Sequence, residues 1–199
     1  MSERDIPAME HPESLLSPQA TALWPAPSRA DKVRRALWRV VSALTFRLTP
    51  TPFHGVRCAI LRAFGGRIER GARPYPAARI WAPWNLVMEH GSCLADRVDC
   101  YNVAPITVKR HATVSQGASL CTASHDFRRS DHPLTAAPIV VGEGAWVAAE
   151  AFIGPGVTVD EKAVVGARAV VMRSVPPSTV VAGNPAKIVD KRIIQNPAP

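Results

Sequence analysis

The residues best placed to do chemistry lie in one short stretch, LCTASHDFRRSDHPLTAAPIVVG, from Leu120 to Gly142. It holds His125, Asp126, Asp131 and His132. An imidazole with an ordinary pKa of about 6.5 takes up and returns a proton near neutral pH, which is what a general base does. Asp126 stands next to His125 and is a candidate to orient the ring. His132, and His111 further upstream, are alternative bases.

A base must be held on something rigid, and the flanking sequence supplies it. Val141, Val147, Ile153, Val159, Val165 and Val171 recur every six residues, as do Val108, Val114 and Leu120 before them. Four residues after each comes a small or β-branched residue: Ala145, Ala151, Val157, Ala163, Ala169 and Val175, and earlier Ala112, Ala118 and Ser124. Ile80, Leu86 and Val98 give a looser start. A helix repeats at 3.6 and an exposed strand at 2, so six fits neither over a long span. It fits very short strands joined by tight bends, each pointing one aliphatic inward, with Gly154, Gly156 and Gly166 at bends that need permissive backbone. Stacked coils of this kind form a solenoid. The spacing from Leu120 to Val141 is out of phase, which predicts an inserted loop over residues 121–140. Solenoids carry insertions on their binding face.

The rest of the chain is read more coarsely. Residues 1–28 are polar and proline-rich and predict a disordered arm. Residues 31–48 predict a helix with Val33, Leu37, Val40, Leu44 and Leu48 on one stripe, capped by Ser28 or Asp31 and ended by Pro50. A second helix is expected from His54 to Phe64, stopped by Gly65 and Gly66, so that residues 29–66 form a helical extension. The solenoid domain then spans 67–192, with a tail over 193–199. The net charge of +8 sits mainly in residues 29–73, which hold eleven Arg or Lys and two acids. That argues against nucleic acid as partner of the whole protein. A basic segment with Leu37, Trp38, Val41 and Phe46 among its arginines fits peripheral contact with an anionic membrane, or a cap on the solenoid end, and the two can coexist. No apolar run is long enough to span a bilayer, and the acidic first residues are not a signal peptide, which predicts a cytoplasmic location. Cys58, Cys93, Cys100 and Cys121 form no C-x-x-C pair and are read as free thiols.

The segments IWAPWNL, VDCYNVAPITV, HATVSQGA, CTASHDF, PIVVGEGAWVAA, GPGVTV and VPPSTVVAGNPAK resemble the hexapeptide-repeat acyltransferases. Within them the chain is most similar to the colanic acid biosynthesis acetyltransferases and the maltose, galactoside and nodulation-type sugar O-acetyltransferases. The resemblance covers roughly residues 57–192. It implies a mainly β chain folded as a left-handed parallel β-helix, a homotrimer, and acetyl-CoA-dependent transfer to a sugar hydroxyl in exopolysaccharide synthesis, on a sugar or lipid-linked acceptor. It implies His125 as catalytic base. Asn85, Asn102 and Asp126 are then candidates on the acceptor side. Trp146, Ala149, Ala167, Arg173 and Lys187 are candidates for CoA, Ala149 through a backbone N–H facing the thioester oxygen. The chain departs from the family at GARAVVMRS, where Arg168 replaces a glycine and Met172 a threonine.

Two other readings use the same solenoid. A zinc hydratase needs three converging ligands, and His90, His111, His125 and His132 are not spaced as a pair along one coil column; no metal is expected. A non-catalytic assembly scaffold has no need of the inserted loop.

Overall fold

The six-residue spacing folds as three flat faces. In the computed structural model, which describes residues 23–25 and 28–193, strands of two to four residues stack in parallel ladders. The first face stacks Arg67–Ile68, Leu86–Met88, Ile106–Val108, Ile139–Val141 and Thr158–Val159. The second stacks Arg73–Pro74, Cys93–Leu94, Thr113–Val114, Trp146–Val147, Val164–Val165 and Thr179–Ala182, with Lys187–Lys191 added antiparallel. The third stacks Arg79–Ile80, Asp99–Tyr101, Ser119–Cys121, Phe152–Ile153 and Val170–Val171. The chain visits the three faces in turn, which makes a parallel β-helix.

Inward aliphatics hold the coils together, one from most strands and two from Leu86–Met88, Ile106–Val108 and Ile139–Val141. Val141, Val147, Ile153, Val159, Val165 and Val171 are all buried, and so are the corner residues Ala145, Ala151, Val157, Ala163, Ala169 and Val175. Main-chain donors reach the next coil, as in Thr113 N–H to the Ala145 carbonyl and Trp146 N–H to the Ala163 carbonyl, both 2.9 Å. Such bonds pair main-chain groups between coils instead of leaving them against the apolar column. At the corner between the first and second faces one position is left-handed in successive coils. Gly91 and Gly144 take it freely, while His111 and Lys162 adopt it at φ +54 and +57. Of the three glycines expected at bends, Gly156 is left-handed. Gly154 and Gly166 instead make room, for the Met172 sulfur and for Ala182.

Two helices cover the first coil. Helix α1, Arg29–Val41, starts at a capping box in which Ser28 and Asp31 satisfy each other's backbone N–H. It runs into a π-helical turn, Ser42–Phe46. Helix α2 is His54–Ala63. The apolar stripe of α1 does not face the core. Val33, Leu37, Val40, Leu44 and Leu48 are all exposed, and Trp38 and Phe46 are buried instead. The aromatic side wins because two large rings bury more surface and make specific contacts. Trp38 packs against Phe46 and Phe64 and donates its indole N–H to the Ile80 carbonyl at 2.7 Å. Arg57 of α2 is fully buried. Its guanidinium donates to the carbonyls of Thr49, Pro50, Thr51 and Pro74. Burial pulls its pKa below the ordinary value.

The insertion leaves the ladder intact. Ile106, Thr113 and Ser119 pair directly with Ile139, Trp146 and Phe152, across seventeen intervening residues, 122–138. The excursion is narrower than expected, since Cys121 and Ile139–Val140 belong to strands. Ser124 is accordingly exposed and takes no place in the buried column. Residues 1–22, 26 and 27, most of the predicted arm, and 194–199, most of the predicted tail, lie outside the described residues. The described part of the arm, Leu23–Pro25, does not run free: Leu23 bridges Thr135 and Trp24 N–H donates to the Leu134 carbonyl at 2.9 Å.

Candidate active site

The insertion is a β-hairpin, Ala123–His125 against Leu134–Ala136, with His125 opposite Leu134. Its base is sewn to the preceding coil by Thr122, which is fully buried. The Thr122 hydroxyl donates to the Tyr101 carbonyl at 2.9 Å and accepts from Ala104 N–H at 3.0 Å. Ala104, Ala123 and Ala136 form a small core of their own, with Trp24, Val103 and Leu134 packed on it. Leu23 and Trp24 add a third strand-like edge beyond Leu134. This contact is not legible in the sequence, since Trp24 sits in a polar, proline-rich stretch.

His125 is exposed at the end of its strand, and its Nδ1 lies 2.6 Å from the His132 carbonyl oxygen. A carbonyl can only accept, so Nδ1 carries the proton and Nε2 is left with its lone pair. Asp126 does not hold the ring. Its carboxylate accepts from Arg128 N–H at 3.1 Å, and its own N–H donates to the Pro133 carbonyl. Arg129 grips Asp131 at 2.9 and 3.0 Å, and that hydrogen-bonded pairing holds the Asp131 carboxyl below its usual range. The loop 126–133 is thus braced by its own bonds.

Asn85, Asn102 and the hairpin leave the solenoid at one corner, between the third and first faces, in three successive coils. Asn102 is fully buried, and both ends of its amide are taken by Ala82. It is a bracket between coils, which removes it from direct contact with an acceptor. Asn85 donates to the carbonyls of Asn102 and Val103 and lines a recess of about 300 Å³. Trp24, Trp81, Trp84, Asp31 and Arg35 also line that recess. Three indoles with an acid, an arginine and an amide are a composition that suits a sugar ring.

The residues considered for CoA lie mostly elsewhere. Trp146 is on the second face and donates its indole N–H to Ser115 Oγ at 2.9 Å. Ala149 and Ala167 follow it on the corner between the second and third faces, one coil apart, linked through Arg168 N–H and the Ala149 carbonyl at 2.9 Å. Lys187 is on the last strand of the second face. Arg173 is not with them; it follows Val171 on the corner that carries the hairpin. Arg168, where the family has glycine, is left-handed at φ +59 and pairs with Glu150, itself at φ +60, at 2.6 Å. Within one chain, then, His125 and the Trp146 group stand on different corners of the prism. His90 and His111 do pair, against expectation, with ring centroids 5.6 Å apart. The early coils are longer than eighteen residues, which brings these two into line. Among the described residues no three His, Cys, Asp or Glu come together as a metal site.

No protein-family model matches the chain. It is 36% identical over 163 residues to the "Putative colanic acid biosynthesis acetyltransferase WcaF" of Escherichia coli K12, covering 82% of this chain and 90% of that protein. A solved hexapeptide-repeat containing acetyltransferase from Vibrio cholerae superposes with a TM-score of 0.74 at 26% identity, over 82% of this chain and 93% of that one. A maltose O-acetyltransferase from Clostridium difficile 630 gives 0.73 at 23% identity, over 84% and 90%. The fold they share with this chain is the left-handed parallel β-helix.

Proposed function

The chain belongs to the hexapeptide-repeat acetyltransferases of the colanic acid biosynthesis type, and we propose that it transfers acetyl from acetyl-CoA to a sugar hydroxyl during exopolysaccharide synthesis. One observation carries the chemistry: the His125 ring is locked by the His132 carbonyl so that Nε2 is free to act. Nε2 takes the proton of the acceptor hydroxyl as that oxygen attacks the thioester carbonyl carbon. It returns the proton to the CoA sulfur as the carbon–sulfur bond breaks. The Ala149 N–H faces the carbonyl oxygen, where charge builds up. Ala149 and Ala167 leave room on their corner for the pantetheine arm, Trp146 flanks it, and Lys187 meets the phosphates. The acceptor sugar occupies the recess at Asn85, whose amide oxygen accepts from a hydroxyl.

Because His125 and the Trp146 group stand on different corners, a complete site needs two chains side by side. A homotrimer supplies three such pairs. No helix among the described residues is long and apolar enough to cross a membrane. An acceptor on a lipid carrier would be met from the cytoplasmic membrane surface. The test is transfer from radiolabelled acetyl-CoA to a panel of sugars and lipid-linked oligosaccharides. Acetylated sugar lost on His125→Ala is the expected result. Hydrolysis of acetyl-CoA with no acetylated sugar from any acceptor would overturn the reading.

A further inference from the structure

We propose that the outer side of α1 and its π-helical extension is a docking surface for anionic phospholipid membranes. Val33, Leu37 and Val40 follow one another every three or four residues and so form one line along α1, and Leu44 in the π-helical turn and Leu48 just past it continue the exposed apolar series. They are 55–73% exposed. The fold does not use them, since Trp38 and Phe46 on the opposite side anchor the helix. Helix α1 alone extends roughly 20 Å and the π-helical turn lengthens it, enough to lie along a bilayer surface.

The cations along this helix divide into two groups. Arg34 lies over Trp84, and Arg35 and Arg39 lie over Trp81, at 4.1, 5.1 and 5.3 Å from the rings. They fix how the helix is rotated on the solenoid. Arg29, Lys32 and Arg47 are exposed, and among the described residues no carboxylate pairs with them. Helical spacing puts Arg29 and Lys32 along one flank of the aliphatic line, and Arg47 follows at the end of the π-helical turn. Arg47 also borders two open hollows of about 750 and 480 Å³. Arg79 lines both, Arg97 the first and Arg39 the second, with Asp96 and Asp99 as the opposing charges. An aliphatic line with a row of unspent cations beside it complements a lipid surface that offers acyl chains below a layer of phosphates. A second copy would set the same cations against these. The stretch before Leu23 is acidic and is the rival occupant.

The experiment is co-sedimentation of the full-length protein with phosphatidylcholine vesicles, with and without phosphatidylglycerol, at low and high salt. Binding to the anionic vesicles that fades with salt is expected, with little binding to phosphatidylcholine alone. Leu37→Glu with Leu44→Glu should lower binding by tenfold or more. Arg29→Gln with Lys32→Gln and Arg47→Gln should lower it by roughly a hundredfold at low salt, about fivefold for each cation. Both variants change exposed residues and should keep the parent's circular dichroism and gel-filtration size. A full-length protein that ignores anionic vesicles at low salt overturns the proposal and leaves the stripe to the segment before Leu23. So does a Leu37→Glu, Leu44→Glu variant that binds as well as the parent, or one whose oligomer falls apart, which would show a second copy on the stripe. The readout is lipid binding, so this proposal and the acetyl-transfer reading can fail separately.

Discussion

His125 donates from Nδ1 to the carbonyl oxygen of His132 at 2.6 Å, and His132 presents that carbonyl from a left-handed backbone at φ +40. The bond spans the hairpin loop and fixes the ring in the tautomer a base requires. The contribution of His132 comes from its main chain, and its own imidazole has no part in it. Two substitutions separate these roles. His125→Ala should lower kcat by about a hundredfold or more while CoA still binds. His132→Gly should leave kcat within a few-fold, because glycine accepts the left-handed backbone and keeps the carbonyl. Steady-state kinetics with a direct CoA-binding measurement checks both.

At Gly142 the backbone of the next coil leaves no room for a side chain. A Cβ there would stand 2.6 Å from the Asp160 carbonyl carbon and 2.7 Å from Glu161 N. Both are backbone atoms, which cannot swing away. Gly142→Ala should therefore destabilise the protein by about 2 kcal/mol or more, read as a lower denaturant midpoint.

Arg57 holds the turn between α1 and α2 by feeding four carbonyls from one buried guanidinium. Arg57→Met would leave those acceptors without a donor, at about 1 kcal/mol or more each. A loss of about 3–5 kcal/mol in unfolding free energy is expected. Arg57→Lys should recover little of it, because one ammonium cannot match the planar fork.

The four cysteines should react in a fixed order. Burial pushes the thiols of Cys58, Cys93 and Cys100 up, Cys100 furthest, so at pH 8 little of each is the reactive thiolate. Cys121 is half-buried at the foot of the hairpin. A maleimide followed by mass spectrometry should label Cys121 first, and the others only after denaturation.

The solenoid was legible because most of its short strands spend one residue on the core, at a fixed spacing. A period of six aliphatics and a second series of small corner residues can be satisfied by few other folds. The position of His125 was legible for the same reason, since the break in phase marks where the chain leaves the coil. The α1 stripe showed a helix but not its surroundings, because periodicity reports that a helix has two sides and says nothing of what lies against either. The His132 carbonyl could not be read at all, as main-chain atoms carry no residue signature. Asn102 looks the same in sequence whether its amide meets a sugar or, as here, the backbone of Ala82. Trp24 escaped notice because its partner, the far strand of the hairpin, lies more than a hundred residues away.

The unbroken pairing of Ile106 with Ile139 and Ser119 with Phe152 means that the ladder does not register how long residues 122–138 are. Coil register and loop length are independent variables in this architecture. A hairpin of another size could be grafted between Cys121 and Ile139 without repacking the aliphatic column, provided Thr122 keeps its two bonds at the base. The hairpin that carries His125 can thus vary, or be engineered, on a scaffold whose stability stays where it was.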